Sequence, residues 1–313
     1  MIMSAMSSHI DAPLALTGAL RLHDWGVIRA EGAEARKFLH GQLTQDVEHL
    51  EEGRARLAGY CSAKGRLLAT FVVWCRGRDE VLLACGTDVL PAVLKRLSMF
   101  VLRSKCKLSD ASADVPLWGV AGDSAAATDV WERQRSGVAD VIRLPDGSAD
   151  SLVVTRWLWA GAEPAGRPRL EPSVWQGLEA SSGVARIVAA TMEQFVPQMV
   201  NLELVGGVNF QKGCYPGQEI VARSQYRGTL KRRAQVMRSA ELLLPGQEVF
   251  HASDPRQPAG MVVLSGTLPG IGPLALVELK LTALDGAALH GGSAAGPALQ
   301  MSALPYAIPA EQA

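Results

Sequence analysis

The sequence has no excess of charge of either sign: Lys plus Arg and Asp plus Glu number 31 each. A protein held mainly by phosphate contacts carries a basic surplus, so direct nucleic-acid binding is not expected. The five cysteines, Cys61, Cys75, Cys85, Cys106 and Cys214, include no two within three positions of each other, which excludes a local CxxC redox or zinc motif. Their odd number and wide spacing also argue against a disulfide framework and point to a reducing compartment. The six histidines are scattered without metal-ligand spacing. No Lys or Arg precedes Arg21, so the basic start of a secretory signal is missing. The longest strongly apolar run, Leu67–Cys75, is too short to span a bilayer. These absences lead to the expectation of a cytoplasmic protein with no membrane segment.

What the sequence does have is core. Of its 313 residues 48% are hydrophobic and 20% charged, enough for two or three domains on the usual scale of roughly 100–200 residues each. Trp25–Ala30 suits a strand, and Ala35, Phe38, Leu39 and Leu43 then recur at helical spacing. Strand-like runs Arg56–Cys61, Arg66–Cys75 and Glu80–Cys85 follow, separated by the turns Ser62–Gly65 and Arg76–Asp79. Thr87 is placed to cap a second helix with the stripe Leu90, Val93, Leu94, Leu97, Phe100 and Val101, and Lys105–Ser109 closes the unit as a strand.

A second pass begins at Leu117–Ala121. Asp123 is expected to cap a helix to about Gln134, followed by strands Ala139–Leu144 and Ser151–Trp157, a loop Ala160–Pro172, and a helix from Pro172 to near Gly183. The order β-α-β-β-α-β thus occurs roughly twice, which predicts an α+β protein of two halves side by side with a groove between them. Past Ser239, short apolar runs such as Met261–Leu264 and Leu274–Leu281 alternate with glycine and proline turns, as in a small all-β barrel. The expected divisions are 1–115, 116–238 and 239–313.

One stretch carries chemistry: Gly206–Glu219, ending in KGCYPGQE. Gly213 and Gly217 permit close backbone approach, and Pro216 suits the first turn of a helix with Gln218 and Glu219 near its start. Cys214 is expected just before that helix and beside Lys212, where amide donors and an ammonium favour a thiolate; Glu219 acts the other way, and Arg223 is one turn on, within pairing reach. The alternative is a small residue in a tight turn.

KGCYPGQE, followed by IVAR and YRG, resembles the signature of a folate-binding family concerned with tRNA modification and the maintenance of iron–sulfur enzymes, itself related to the glycine-cleavage T-protein. FLHGQLTQDV at Phe38–Val47 and YCSAKGR at Tyr60–Arg66 are similar to that family's first helix and first hairpin, and the likeness runs to Leu304–Tyr306. The resemblance implies two ferredoxin-like β-α-β-β-α-β halves and a C-terminal β-barrel around a central tetrahydrofolate cavity. It assigns folate contacts to Trp25 and Trp175, with Tyr215, Gln218, Glu219 and Arg223 as further candidates, and makes Cys214, with Lys212, the reactive centre. For either tryptophan the competing reading is core packing. The basic residues Arg227, Lys231, Arg232 and Arg233 could attract a glutamate tail, although a solvated strand face suits Lys231 and Arg232 better.

The related aminomethyltransferases carry an acid in the strand after the first hairpin turn. Here no Asp or Glu occurs between Gly65 and Arg78, and Ala69 or Thr70 stands in its place, unable to exchange a proton near neutral pH. The expectation is a monomeric tetrahydrofolate-binding accessory protein with iron–sulfur enzymes as clients. A folate-dependent aminomethyl transferase and a non-catalytic adaptor with a vestigial folate pocket are the alternatives.

Overall fold

Alternation along the early strands builds a sheet buried on both faces. In the computed structural model, which describes residues 16–122, 129–226 and 230–309, the first elements are β1 (Gly18–Arg21), β2 (Trp25–Glu31), α1 (Ala35–His40), β3 (Ala55–Cys61), β4 (Leu67–Cys75), β5 (Glu80–Gly86), α2 (Leu90–Ser98) and β6 (Lys107–Asp110). All but β1 join in one unit, an antiparallel sheet of order β3-β4-β5-β2-β6 with two helices. Val81, Leu83 and Cys85 of β5 pack with Phe38, Leu39, Val93 and Leu97 of the helices, whereas Leu82 and Ala84 face the rest of the protein. Every residue of β4 is therefore buried, which is why its sequence reads as a continuous apolar run.

The second unit contains β7 (Leu117–Ala121), β8 (Arg133–Ser136), β9 (Ala139–Ala149), β10 (Leu152–Ala160) and α3 (Pro172–Ser181). Its sheet has the order β1-β7-β10-β9-β8, so the first described strand belongs here and not in the first unit. After α3 come two 3₁₀ turns, Ala189–Thr191 and Pro197–Val200, and then α4 (Gln218–Tyr226). Six strands close a barrel: β11 (Arg232–Ser239), β12 (Glu248–His251), β13 (Asp254–Leu268), β14 (Gly272–Lys280), β15 (Leu289–Gly291) and β16 (Ala298–Ser302). The molecule is thus α+β with two sheet units and a C-terminal barrel. The barrel takes in Arg232–Ser239, ahead of the expected division at 239.

Three local readings are corrected. The helix expected over Asp123–Gln134 lies partly outside the described residues; where it is described, Arg133–Ser136 is a strand paired across a tight turn with Ala139–Ile142. Thr87 does not cap α2: the helix starts at Leu90 with Pro91 in its first turn, and the Thr87 hydroxyl is directed to the His23 carbonyl at 3.5 Å. The same helix stops at Ser98, which leaves Phe100 46% exposed. Among the described residues no helix is long and apolar enough to cross a membrane.

The two sheets meet face to face through one large core that also takes in α3 and part of the barrel. A buried carboxylate ties them. Asp140 of β9, with no exposed surface, accepts from Trp74 Nε1 at 3.0 Å and Arg76 Nε at 2.6 Å on the first unit, and from Arg133 Nε at 2.9 Å on its own sheet.

Candidate functional site

Between the two inner faces the side chains do not fill the space. A narrow cavity of about 30 Å³ is lined by Trp25 from β2, Leu57 from β3, Thr70 and Val72 from β4, Arg156 from β10 and Glu179 from α3. The cavity shares Leu57 and Trp131 with a polar pocket that also includes Arg54 and Arg56, and shares Glu179 and Arg186 with a larger pocket bordered by Asp24 and Asp88. It is therefore flanked by one more basic and one more acidic opening.

The charges in the cavity wall are arranged unequally. Arg186, on the segment after α3, donates through Nε to Glu179 Oε1 at 2.7 Å and through Nη2 to Glu179 Oε2 at 3.0 Å and Asp24 Oδ2 at 2.8 Å. Burial alone would lower its pKa, but the carboxylates of Glu179 and Asp24 outweigh that and raise it. Its guanidinium carbon lies 5.0 Å from the centroid of the Trp25 ring. The indole Nε1 of Trp25 is buried without a hydrogen-bond partner among the described residues. An aromatic face, an unused donor and a fixed cation are the groups that a flat, polar heterocycle requires.

The two family tryptophans differ. Trp25 faces the cavity, whereas Trp175, 1% exposed, does not line it. The Trp175 ring is pressed onto β7, where a Cβ on Gly119 would come within 2.7 Å of it, and is covered by Arg156 at 5.4 Å. Of the two residues in the expected acid position, Thr70 faces the cavity, and Ala69 packs toward α1 and α2. The Thr70 hydroxyl accepts from the Ile187 amide at 3.1 Å. A carboxylate does enter the cavity, but from α3: Glu179, both of whose oxygens already accept from Arg186.

The KGCYPGQE segment forms a second place, outside the cavity lining. Thr44 Oγ1 donates to the Gly207 carbonyl at 2.6 Å and Gln45 Nε2 to that of Gly206 at 2.7 Å, fastening the loop to the end of α1. Lys212 tightens the same contact: its ammonium donates to the carbonyls of His40 at 2.6 Å, Leu43 at 3.0 Å and Gly213 at 3.1 Å, and lies 4.8 Å from the Tyr215 ring centroid. Burial lowers its pKa to about 8, with Asp46 and Cys214 near enough to oppose that shift. Tyr215 is buried, and burial raises its phenol. Cys214 is exposed. It lies four residues ahead of α4, because the helix begins at Gln218 and not at Pro216. Glu219 and Arg223 line a shallow surface depression with Tyr226, and no ion pair joins them among the described residues.

Trp25, singled out from the sequence, lines this cavity together with Arg156, Glu179 and Arg186, which were not singled out, nor was Asp24, the partner of Arg186. One signal was available, since Arg156 interrupts the apolar strand Leu152–Ala160. The Glu179–Arg186 pair left none, as its partners sit on opposite sides of a loop that only the fold closes.

No family model matches the chain. Its fold is that of the glycine cleavage system aminomethyltransferase T from Bartonella henselae, with a TM-score of 0.66 over 96% of this chain and 88% of the other at 14% identity. A curated relative, the tRNA-modifying protein YgfZ of Photobacterium profundum, is 33% identical over 226 residues, 68% of this chain and 67% of its own length. That likeness, on a T-protein fold and with the signature loop locked between the first helix and the first hairpin, places the chain in the YgfZ family of tRNA-modifying proteins.

Proposed function

We propose that the chain is a tetrahydrofolate-binding accessory protein that supports iron–sulfur enzymes, including those that modify tRNA. The observation that carries the reading is the slot between the two sheets, where the Trp25 ring and its unpartnered Nε1 face a cavity held in shape by the Glu179–Arg186–Asp24 network. The name of the curated relative supports the link to tRNA modification. A reduced folate fits the donor set: its pterin ring needs a stacking surface and hydrogen-bond partners, and its arm carries carboxylates. Trp25 would hold the ring, and Arg186 would keep Trp25 in place. The slot is narrow, so binding is expected to move side chains. Bound folate supplies a one-carbon carrier or acceptor.

Cys214 enters the proposal as the reactive thiol, exposed on a loop whose backbone is fixed by Lys212. Tyr215, Gln218, Glu219 and Arg223 belong to that loop and helix, so their part in the proposal is to shape the surface around the thiol.

Aminomethyl transfer is the second reading, favoured by the fold and by Glu179 in the cavity. It would need Glu179 to leave Arg186 before it could take a proton, and Thr70 offers no carboxylate.

Titration of the purified chain with 5-formyltetrahydrofolate, followed by tryptophan fluorescence, tests the cavity. Quenching that saturates and is lost in Trp25→Ala is expected. Absence of binding by the parent would reject the folate reading. A deletion strain carrying Cys214→Ala at normal abundance should lack iron–sulfur enzyme activity, and full complementation would remove the thiol from the proposal.

A further inference from the structure

Among the described residues, Arg156 is a cation without a counter-ion. It leaves the middle of β10, is 3% exposed, and lines the central cavity. Its guanidinium is held on two sides. Nε donates to the Pro145 carbonyl at 2.9 Å, and the guanidinium carbon lies over the Trp175 ring, 5.4 Å from its centroid. Neither terminal nitrogen donates to a protein acceptor among the described residues, the little surface that Arg156 keeps being open to the cavity, and no carboxylate lies within ion-pair distance. The neighbouring acids are engaged elsewhere: Asp146 pairs with Arg143, and Glu179 and Asp24 pair with Arg186. Burial pulls the pKa of Arg156 down to about 10, which leaves it charged at neutral pH.

A guanidinium taken out of water is stable only where an anion or a full set of acceptors meets it. The chain supplies neither to the terminal nitrogens of Arg156. What it supplies is rigidity: one edge fixed by a carbonyl, one face fixed by an indole, and the remaining edge free beside a cavity. That free edge is a planar two-donor fork, which matches the two oxygens of a carboxylate.

We propose that Arg156 is the anion anchor of the cavity and selects ligands that carry a carboxylate on an aromatic arm. Resting on the folate reading for the identity of the ligand, it assigns Arg156 to the p-aminobenzoyl-glutamate arm and leaves the pterin to Trp25. The two residues then read two ends of one molecule, and the cavity distinguishes a folate from a pterin without an arm.

The test uses the full chain, three probes and three proteins. The probes are 5-formyltetrahydrofolate, p-aminobenzoyl-glutamate and tetrahydrobiopterin, which has no carboxylate. The proteins are the parent, Arg156→Met and Arg156→Lys, each checked by thermal melting. The parent should bind the folate at least tenfold more tightly than the pterin. Arg156→Met should lose at least tenfold in affinity for the folate and for p-aminobenzoyl-glutamate, with less than a twofold change for the pterin, and Arg156→Lys should recover part of the loss. Unchanged folate affinity in Arg156→Met overturns the assignment, as does an equal loss for folate and pterin. Should Arg156→Met fail to fold, the parent still decides, because folate and pterin affinities within twofold of each other overturn the proposal. Binding of p-aminobenzoyl-glutamate that depends on Arg156, with no binding of the folate, would uphold the anchor and reject the folate reading. Folate binding unchanged in Arg156→Met, but lost in the Trp25→Ala protein of the folate titration, would do the reverse.

Discussion

Gly217 and Gly65 meet backbone to backbone: a Cβ on Gly217 would lie 2.6 Å from Gly65 Cα and 2.4 Å from the Ser62 carbonyl oxygen. Both have positive φ, +80° and +69°. The signature loop and the first hairpin turn are therefore two halves of one joint, distant in sequence and each requiring glycine for the other to fit. Gly217→Ala combines left-handed strain with a backbone clash and should cost about 2–4 kcal/mol. Urea unfolding measures the loss, and a tolerance within 0.5 kcal/mol (roughly the scatter of a neutral surface change) would contradict the interlock.

Lys212 should matter to the fold as much as to any chemistry. Lys212→Met leaves the buried carbonyls of His40 and Leu43 without their donor, and a cost of about 2–3 kcal/mol is expected. The dependence on pH has a definite sign. The folded chain releases the Lys212 proton near about 8, well below the 10.5 of an ordinary lysine, which applies to the unfolded chain. Between those values the unfolded state binds more protons, so the contribution of Lys212 to stability rises with pH. Parent and Lys212→Met compared by urea unfolding at neutral pH and at pH ~9.5 should differ more at the higher pH; a gap that narrows would refute the assignment.

Asp140→Ala should be among the most damaging single changes. It strands the guanidinium of Arg133, which is 8% exposed, and removes the acceptor of Trp74 Nε1 and Arg76. Breaking such a buried pair costs about 3–5 kcal/mol. Because the network joins the two sheets, the thermal transition should drop by many degrees and broaden, as calorimetry would register.

The five thiols should separate sharply under limited alkylation. Cys214 is exposed, whereas burial pushes Cys61 and Cys85 up to about 12 and Cys106 up to about 11, and raises Cys75 as well. Peptide mapping after brief iodoacetamide treatment at neutral pH should find Cys214 modified first. Prior labelling of any other cysteine would count against the geometry.

Trp25 and Trp175 should part company. Trp175→Ala empties a site that is 1% exposed and should cost about 3–5 kcal/mol of stability. Trp25→Phe keeps a ring on the cavity wall while removing the unpartnered Nε1, and should weaken folate binding by about 0.5–1.5 kcal/mol with little change in melting temperature. Paired titrations and melts distinguish the two, and equal effects on binding would show that Arg156 does not separate Trp175 from the ligand.

Much of the fold was legible because its signals are local. The periodicities of β2 to β5 and the turns between them are written in adjacent residues, and so is the switch to short strands in the barrel. The helix expected from Asp123 failed where it can be judged, because Gln134 and Arg135 are polar on both sides, as suits an exposed edge strand as well as a helix. The site was half legible. Trp25 was reached through its motif, but the cavity charges pair across long separations: Asp24 with Arg186 is 162 positions apart, and nothing near either residue announces the other. β11 lies ahead of the division expected at 239 because its residues, RRAQVMRS, carry three arginines and no apolar alternation that would mark a strand.

The pairing of β1 with β7 carries a consequence for synthesis. Arg21 reaches the Leu117 carbonyl across 96 positions, and the whole first sheet is encoded between them. On a chain that emerges N-terminus first, β2 to β6 are complete before the partner of β1 exists. Gly18–Arg21 is then expected to wait as an unpaired tether and to zip onto the second sheet only when Leu117–Ala121 appears. A nick near residue 115 would therefore not release two separate bodies: the first fragment would still hold the edge strand of the second, and the pair should reassemble through that ladder.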